Sequence, residues 1–405
     1  MNEVWICSAK RTAIGAFMGS LKDIPAVDLG AIVAKAILAE TGVPPAQISE
    51  LIAGCALPAG QGMNPARQIA LKAGLPVEST AFTVNRVCGS GLQAVVSGAQ
   101  EILLGEADLI LAGGIENMSR APYLLPKARA GFRLGNETVV DGMIGDGLWD
   151  VFTDEHMGIT AENLAAKYGI SRQEQDDFAL TSQRKAGQAI REGRFQEEIV
   201  PVLAPQGKGE PNMLPQAVLF QIDEHVRLDA SPEKLARLRP AFKKDGTVTV
   251  GNSSGINDGA AFVLLASGNR AKELGLRPLA IIRSWAVAGV DPSAMGLGPV
   301  PATRKALTKA GVLLDQVEFL ELNEAFAAQS LAVLRELQIS PERVNLNGGA
   351  IALGHPIGAS GARILVTLLH EMEHRPCPTG GQVCTGLAAL CIGGGQGIAL
   401  LAERV

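Results

Sequence analysis

Ala39-Glu40-Thr41-Gly42-Val43, followed by Gln47-Ile48 and Leu51, returns late in the chain as Thr308-Lys309-Ala310-Gly311-Val312, followed by Gln316-Val317 and Leu320. The shift is about 270 residues. Downstream the order is kept, with Ser90-Gly91 echoed by Ser360-Gly361 and Leu111-Ala112-Gly113-Gly114 by Cys391-Ile392-Gly393-Gly394. A repeat that holds its order over such a distance divides the chain into two related halves. Within each half, stretches of helical spacing alternate with short apolar runs. Leu29, Ile32, Val33, Ala36 and Ile37 form one apolar stripe, closed by Gly42. Residues 4–9, 51–55, 83–87, 109–112, 280–284, 344–347 and 398–401 read as strands. This alternation predicts an α/β fold with mainly parallel strands buried between helices.

Between the halves the character changes. Ser171-Arg172-Gln173-Glu174 is a capping box opening a helix expected to reach about Gly193, and Ser231-Pro232 opens another that stops before Pro240. Proline and glycine interrupt the rest, as in Leu203-Ala204-Pro205-Gln206-Gly207. The expected division is residues 1–120 with 250–273 as the first half, 121–249 as an inserted loop domain, and 274–405 as the second half. Insertions of this length commonly carry function or contacts.

Composition narrows the class. The 405 residues are 47% apolar and 19% charged, enough to build a large core over two or three domains. That excludes a disordered chain, and the 47 glycines follow no collagen period. With 36 basic and 41 acidic residues the net charge of -5 gives no general attraction to nucleic acid. The apolar runs fall far short of the ~20 residues a membrane helix needs. Met1-Asn2-Glu3 leads straight into Val4-Trp5-Ile6-Cys7, without the pattern of a signal or transit peptide, so a cytoplasmic chain is expected. Its six cysteines are accordingly read as thiols.

His370-Glu371-Met372-Glu373-His374 matches HExxH, which on a helix sets two imidazoles on one face. Arg375-Pro376 ends that helix at once and only three other histidines exist to add a ligand, so a polar, solvated helix end is expected there, and no metal.

Four places carry chemistry. Cys88, in Val84-Asn85-Arg86-Val87-Cys88-Gly89-Ser90-Gly91, stands where a β-like run turns into a helix from about Leu92 to Leu104. A helix N-terminus favours thiolate and offers amides to an oxyanion, although a lone cysteine in a tight turn is also a common core residue. His355 lies between glycines and beside Pro356, in a stretch expected to stay a loop until a helix begins near Ala359. There it can act as a base at neutral pH or simply bond to backbone. Cys391 precedes Gly393-Gly394-Gly395, whose amides can approach a ligand closely, though core packing reads the same way. Asn323 and Glu324 follow the apolar run 317–320. Asn323 could hold a water or a catalytic histidine, or cap a helix, and a carboxylate near His355 could orient it.

Together these segments resemble the thiolases, most closely the acetyl-CoA acetyltransferase type. The resemblance rests on Val87-Cys88-Gly89-Ser90-Gly91-Leu92, Asn323-Glu324-Ala325-Phe326, Gly354-His355-Pro356-Ile357-Gly358 and Cys391-Ile392-Gly393-Gly394-Gly395, in the family's order across nearly the whole chain. It implies the thiolase fold, two similar α/β halves in five layers with an inserted loop domain. It implies Cys88 as nucleophile, His355 as its base and Cys391 as the second acid or base in the reversible condensation of two acetyl-CoA to acetoacetyl-CoA and CoA. The amides of Cys88 and Gly393 would form one oxyanion site, with His355 and a water held by Asn323 forming the other. Glu324 would orient its neighbours. Coenzyme A is then a substrate, no cofactor is implied, and Arg227, Phe242, Ser254, His156, Met157, Met295 and Phe326 would contact acyl-CoA. The stretch 203–220 departs from the family pattern, being longer and poor in basic residues apart from Lys208. The family implies a homodimer or homotetramer, with no nucleic acid or membrane partner. A 3-oxoacyl-CoA thiolase of fatty acid oxidation with broader chain range is the neighbouring reading. A cysteine hydrolase using Cys88, His355 and Asn323, and an inactive acyl-CoA binder, are the readings from other classes.

Overall fold

The computed structural model describes residues 3–206, 216–377 and 384–405. Its nine principal strands are β1 (Val4–Thr12), β2 (Glu50–Gly54), β3 (Thr80–Val84), β4 (Leu109–Asn117), β5 (Asn257–Ser267), β6 (Ala280–Gly289), β7 (Phe319–Leu322), β8 (Cys384–Ile392) and β9 (Gln396–Arg404). The helices that matter to the site are α1 (Ala26–Thr41), α2 (Ser90–Leu104), α3 (Met157–Tyr168), α4 (Arg172–Arg191), α5 (Pro299–Ala310), α6 (Ala327–Leu337) and α7 (Ile357–His374).

The strands lie in the order β7-β8-β9-β6-β1-β5-β4-β2-β3. The repeat is visible in this path. In the first half β2 runs parallel to β4, β4 antiparallel to β5, and β5 antiparallel to β1. In the second half β7, β8, β9 and β6 reproduce the same sequence of pairings. The halves meet where β1 pairs with β6 at Trp5↔Ile281 and Ile6↔Ala280. Antiparallel pairings therefore predominate, against the expectation of mainly parallel strands. The reason is local: β8 and β9 form a hairpin closed by Gly394 and Gly395, both at positive φ, and β5 returns from the insertion to run against both its neighbours.

Five layers result. On one outside face, α1 buries Leu29, Val33 and Ile37 against Leu51, Leu111 and Phe262 of the sheet. Each such side chain contributes about 1.5–3 kcal/mol of transfer free energy, and Gly42 closes the helix in the left-handed conformation, as its position predicts. In the middle, α2 and α7 pack against each other and between both halves of the sheet, joining Leu92 and Val95 to Leu365 and Leu368, with Val263 on one side and Leu390 on the other. On the far face lie α5 and α6, with Ala306 and Val333 packed on Leu320 and Leu401. The two central helices approach closely. A Cβ at Gly361 would stand 2.6 Å from the Leu92 nitrogen, so glycine is required at this crossing.

Between β4 and β5 come α3 and α4. The capping box at Ser171 is present, with Ser171 N–H donating to Glu174 (2.7 Å) and Glu174 N–H to Ser171 Oγ (3.2 Å). The helix begun by Ser231-Pro232 is one short piece, Pro232–Ala236. Val202–Gln206 pairs antiparallel with Gln216–Phe220, while Lys208 and the rest of 207–215 lie outside the described residues.

Three local expectations change. The strand expected at 83–87 is β3 at Thr80–Val84, because Asn85 Oδ1 takes the Val87 N–H (2.8 Å) and turns the chain. No strand forms over 344–347: Val344 makes a single bridge to Leu320, and the Asn345 side chain pairs with both Leu322 N–H (2.9 Å) and Leu322 C=O (2.8 Å) where a ladder would otherwise continue. The HExxH segment ends α7 as expected but is not a solvated end, since His370 and Glu371 are buried in the central layer.

Candidate active site

Each half supplies one central helix, and each helix N-terminus delivers one reactive side chain. Cys88 lies two residues before α2. Val87, just before it, has φ 44°, a strained conformation for a β-branched residue. The turn is held by Ser90, whose Oγ accepts from Arg86 N–H (2.8 Å) and donates to Val87 C=O (2.6 Å). His355 lies two residues before α7, following Gly354 at φ 111°. Part of the expected loop ahead of it is a one-turn helix, Ala350–Leu353, and α7 starts at Ile357 rather than near Ala359.

The tautomer of His355 follows from its neighbour. Nδ1 is 2.5 Å from Ser360 Oγ, and Ser360 donates its own proton to Pro356 C=O (2.8 Å). Ser360 can therefore only accept from Nδ1–H, which leaves Nε2 as the basic nitrogen. His355 N–H donates to Asn257 Oδ1 (2.8 Å), fixing the loop to the start of β5. Burial, reinforced by the Arg363 guanidinium, holds the imidazole down at about 4. It is thus neutral at physiological pH and free to take a proton.

Cys88 is half-buried, and the backbone amides of Gly393 and of Cys88 itself lie near its sulfur and favour the thiolate. Burial pushes the thiol up to about 11 despite those two amides. Burial and the nearby Cys88 also push Cys391 up. At rest the site therefore holds neutral thiols beside a neutral imidazole whose Nε2 can accept a proton. The same two amides could stabilise the oxyanion of a tetrahedral carbon bonded to that sulfur.

Cys88, His355, Cys391 and Gly393 line one cavity of about 490 Å³, together with Arg227, Ser254, His156, Met157, Met295, Phe242 and Phe326. That volume falls in the range of small-molecule sites. One wall is aromatic: His156 stacks on Phe242 at 4.8 Å, and Phe242 meets Phe326 edge-on at 6.0 Å. Met157, Met295 and Phe326 pack on Cys391, so they are cavity wall and core at once. Arg227 N–H is anchored to Gln183 Oε1 (2.8 Å), and Ser254 N–H to Ala325 C=O (3.0 Å).

Asn323, at the end of β7, is not among the cavity-lining residues. It is buried, and neither polar atom of its side-chain amide has a protein partner among the described residues. Glu324 accepts from Ser182 Oγ (2.7 Å), Asn345 Nδ2 (2.8 Å) and Ile351 N–H (3.2 Å), which ties the segment leading to His355. It does not reach His355 by any of these bonds. Sequence reasoning missed Ser360, Asn257, His225 and Met118. The signal for Ser360 was available, since the repeat aligns it with Ser90, the residue that braces Cys88.

Two repeated halves, with Cys88 and His355 ahead of their central helices and Cys391 on the same cavity, define the class of protein. The chain belongs to the thiolase family: residues 4–269 match the thiolase N-terminal domain and 276–404 the thiolase C-terminal domain. It is 58% identical to an acetyl-CoA acetyltransferase of Chromobacterium violaceum over 402 residues, 99% of this chain and all of that one. Among solved structures, the Bacillus anthracis acetyl-CoA acetyltransferase superposes with a TM-score of 0.94 at 45% identity, covering 100% of this chain and 99% of that one. Human mitochondrial 3-ketoacyl-CoA thiolase superposes at 0.93 with 43% identity, over 100% and 99% of the respective chains.

Proposed function

We propose that the protein is an acetyl-CoA C-acetyltransferase acting through an acyl-Cys88 intermediate. The observation that carries the reading is one cavity lined by Cys88, His355, Cys391 and Gly393. In the cleavage direction, Cys88 Sγ–H gives its proton to His355 Nε2 and the thiolate attacks the 3-oxo carbon of acetoacetyl-CoA. The bond between C2 and C3 breaks, its electron pair stays on C2, and Cys391 protonates that carbon to release acetyl-CoA. A second CoA thiol, deprotonated in its turn, attacks the acetyl thioester on Cys88 and leaves as acetyl-CoA. Covalent catalysis divides one hard step into two, each passing through a stabilised oxyanion. Asn323 and His355 would serve the second oxyanion, a role supported by the uncommitted amide of Asn323. The named cavity residues would contact acyl-CoA, with the aromatic and methionine wall around the acyl and pantetheine parts.

The same reading makes the protein a cytoplasmic enzyme of lipid metabolism, where a reducing environment keeps both thiols active, and a homodimer or homotetramer. Exposed apolar side chains on the insertion, among them Tyr123, Leu134 and Phe152, support assembly there. Loss of acetoacetyl-CoA in the presence of CoA is the direct assay. Turnover that disappears in Cys88→Ala supports the reading; no wild-type turnover, or unchanged turnover in the variant, overturns it. Preference for a long-chain 3-oxoacyl-CoA would favour the broader thiolase of fatty acid oxidation.

A further inference from the structure

The motif at the C-terminal end of α7 plays no part in acyl transfer, and about 25 Å of helix separates it from His355. There the two imidazoles meet a group from another segment. One nitrogen of His370, one of His374 and one carboxylate oxygen of Glu197 lie within 4.8 Å of one another. His374 Nε2 is 2.9 Å from Glu197 Oε2. His370 Nε2 is 2.9 Å from the Ala9 carbonyl, which can only accept, so Nε2 carries the proton and Nδ1 holds the lone pair. That Nδ1 is buried without a hydrogen-bond partner among the described residues, on a side chain only 6% exposed.

A buried imidazole that gives its N–H to a backbone carbonyl and keeps a free lone pair is the arrangement a metal-binding histidine adopts. We propose that His370, His374 and Glu197 form a site for a divalent transition metal of the zinc or nickel type. Helical spacing places the two imidazoles on one face, and Glu197 supplies the third ligand that the remaining histidines could not. Two nitrogens and one carboxylate favour such ions over magnesium or calcium, which take oxygen. Lys10 reaches Glu197 at its carbonyl (2.7 Å) and pairs with Glu40 (2.6 Å), so it does not compete with His374 for the Glu197 carboxylate. The site is not that of a peptidase: Glu371 accepts from Asn347 Nδ2 (2.7 Å) and pairs with Arg375, and so is not placed to activate water. Its effect is structural. Glu197 lies two residues before Ile199–Val200, which pairs with Arg11 and Thr12 of β1, so the ion joins the insertion to α7 and, through Ala9, to β1.

The test uses the tag-free, chelator-treated full chain titrated calorimetrically with nickel chloride. The expected result is one ion per chain, with affinity at least ~10-fold weaker in His374→Ala and in Glu197→Gln. Zinc should raise the thermal midpoint of the wild type and not of these variants, whose acetoacetyl-CoA cleavage should be unchanged. The proposal is overturned by the absence of saturable binding, or by binding that survives His374→Ala and is lost in Cys384→Ser, which would place the ion on the Cys377, Cys384 and Glu318 cluster instead.

Discussion

His355 and Cys88 are tuned by burial in opposite directions, and the result is a pair in which both members are neutral at rest. Imidazole NMR tests this directly: the His355 resonances, assigned by substitution, should report the Nδ1–H tautomer and no protonation between about pH 5 and 8. The sign follows from the lowered value of about 4, because the charged form appears only as pH falls through it. A titration centred near the ordinary imidazole value of 6.5 would contradict the account. Ser360→Ala removes the only hydrogen-bond partner seen for Nδ1 among the described residues. We expect kcat to fall about 10- to 100-fold with KM little changed, less than the full ~10²–10⁴ contribution of a general base. An unchanged kcat would remove Ser360 from the site. Cys88, His355 and Cys391 were legible as candidates because each stands beside glycine-rich sequence, and the structure brings all three to one cavity. Ser360 and Asn257 were not, since a buried serine or asparagine has no sequence signature until its partner is known.

At the scale of elements, the crossing of α2 and α7 fixes where Cys88 and His355 stand relative to each other. Gly361→Ala gains about 1 kcal/mol of helix propensity but places a methyl 2.6 Å from the Leu92 backbone, where overpacking costs about 1–3 kcal/mol. Backbone cannot rotate away, so urea denaturation should show a net loss of up to about 2 kcal/mol, together with reduced turnover because Cys88 and His355 stand at the heads of the two helices. A stabilised variant would mean the helices are free to part. Helix α1 and the capped start of α4 were readable because caps and apolar stripes are local signals. The strand at 344–347 was misread because the Asn345 amide pairs with Leu322 in place of a ladder, a tertiary event. Strand direction was likewise hidden, since it depends on where the insertion returns and on the glycine hairpin between β8 and β9.

Across the whole molecule, the repeat made the architecture legible. Four strands and a central helix recur with the same pairings, and one reactive group comes from the head of each central helix. The cavity was less legible because its wall is built by residues far apart in sequence, from Ala16 to Gly393, with the insertion packed against the second half. With a wall of Phe242, Met157 and Met295, turnover should be highest for acetoacetyl-CoA and fall with longer 3-oxoacyl chains, measured as kcat/KM across chain length. Equal kcat/KM for long chains would indicate the broader thiolase. The central claim is that Cys88 carries the acyl group. Brief incubation with acetyl-CoA, acid quenching and peptide mass spectrometry should locate one acetyl thioester on Cys88, formed in the wild type and absent from Cys88→Ala. An unmodified Cys88 in an active enzyme, or acetylation found on Cys391 instead, would contradict it.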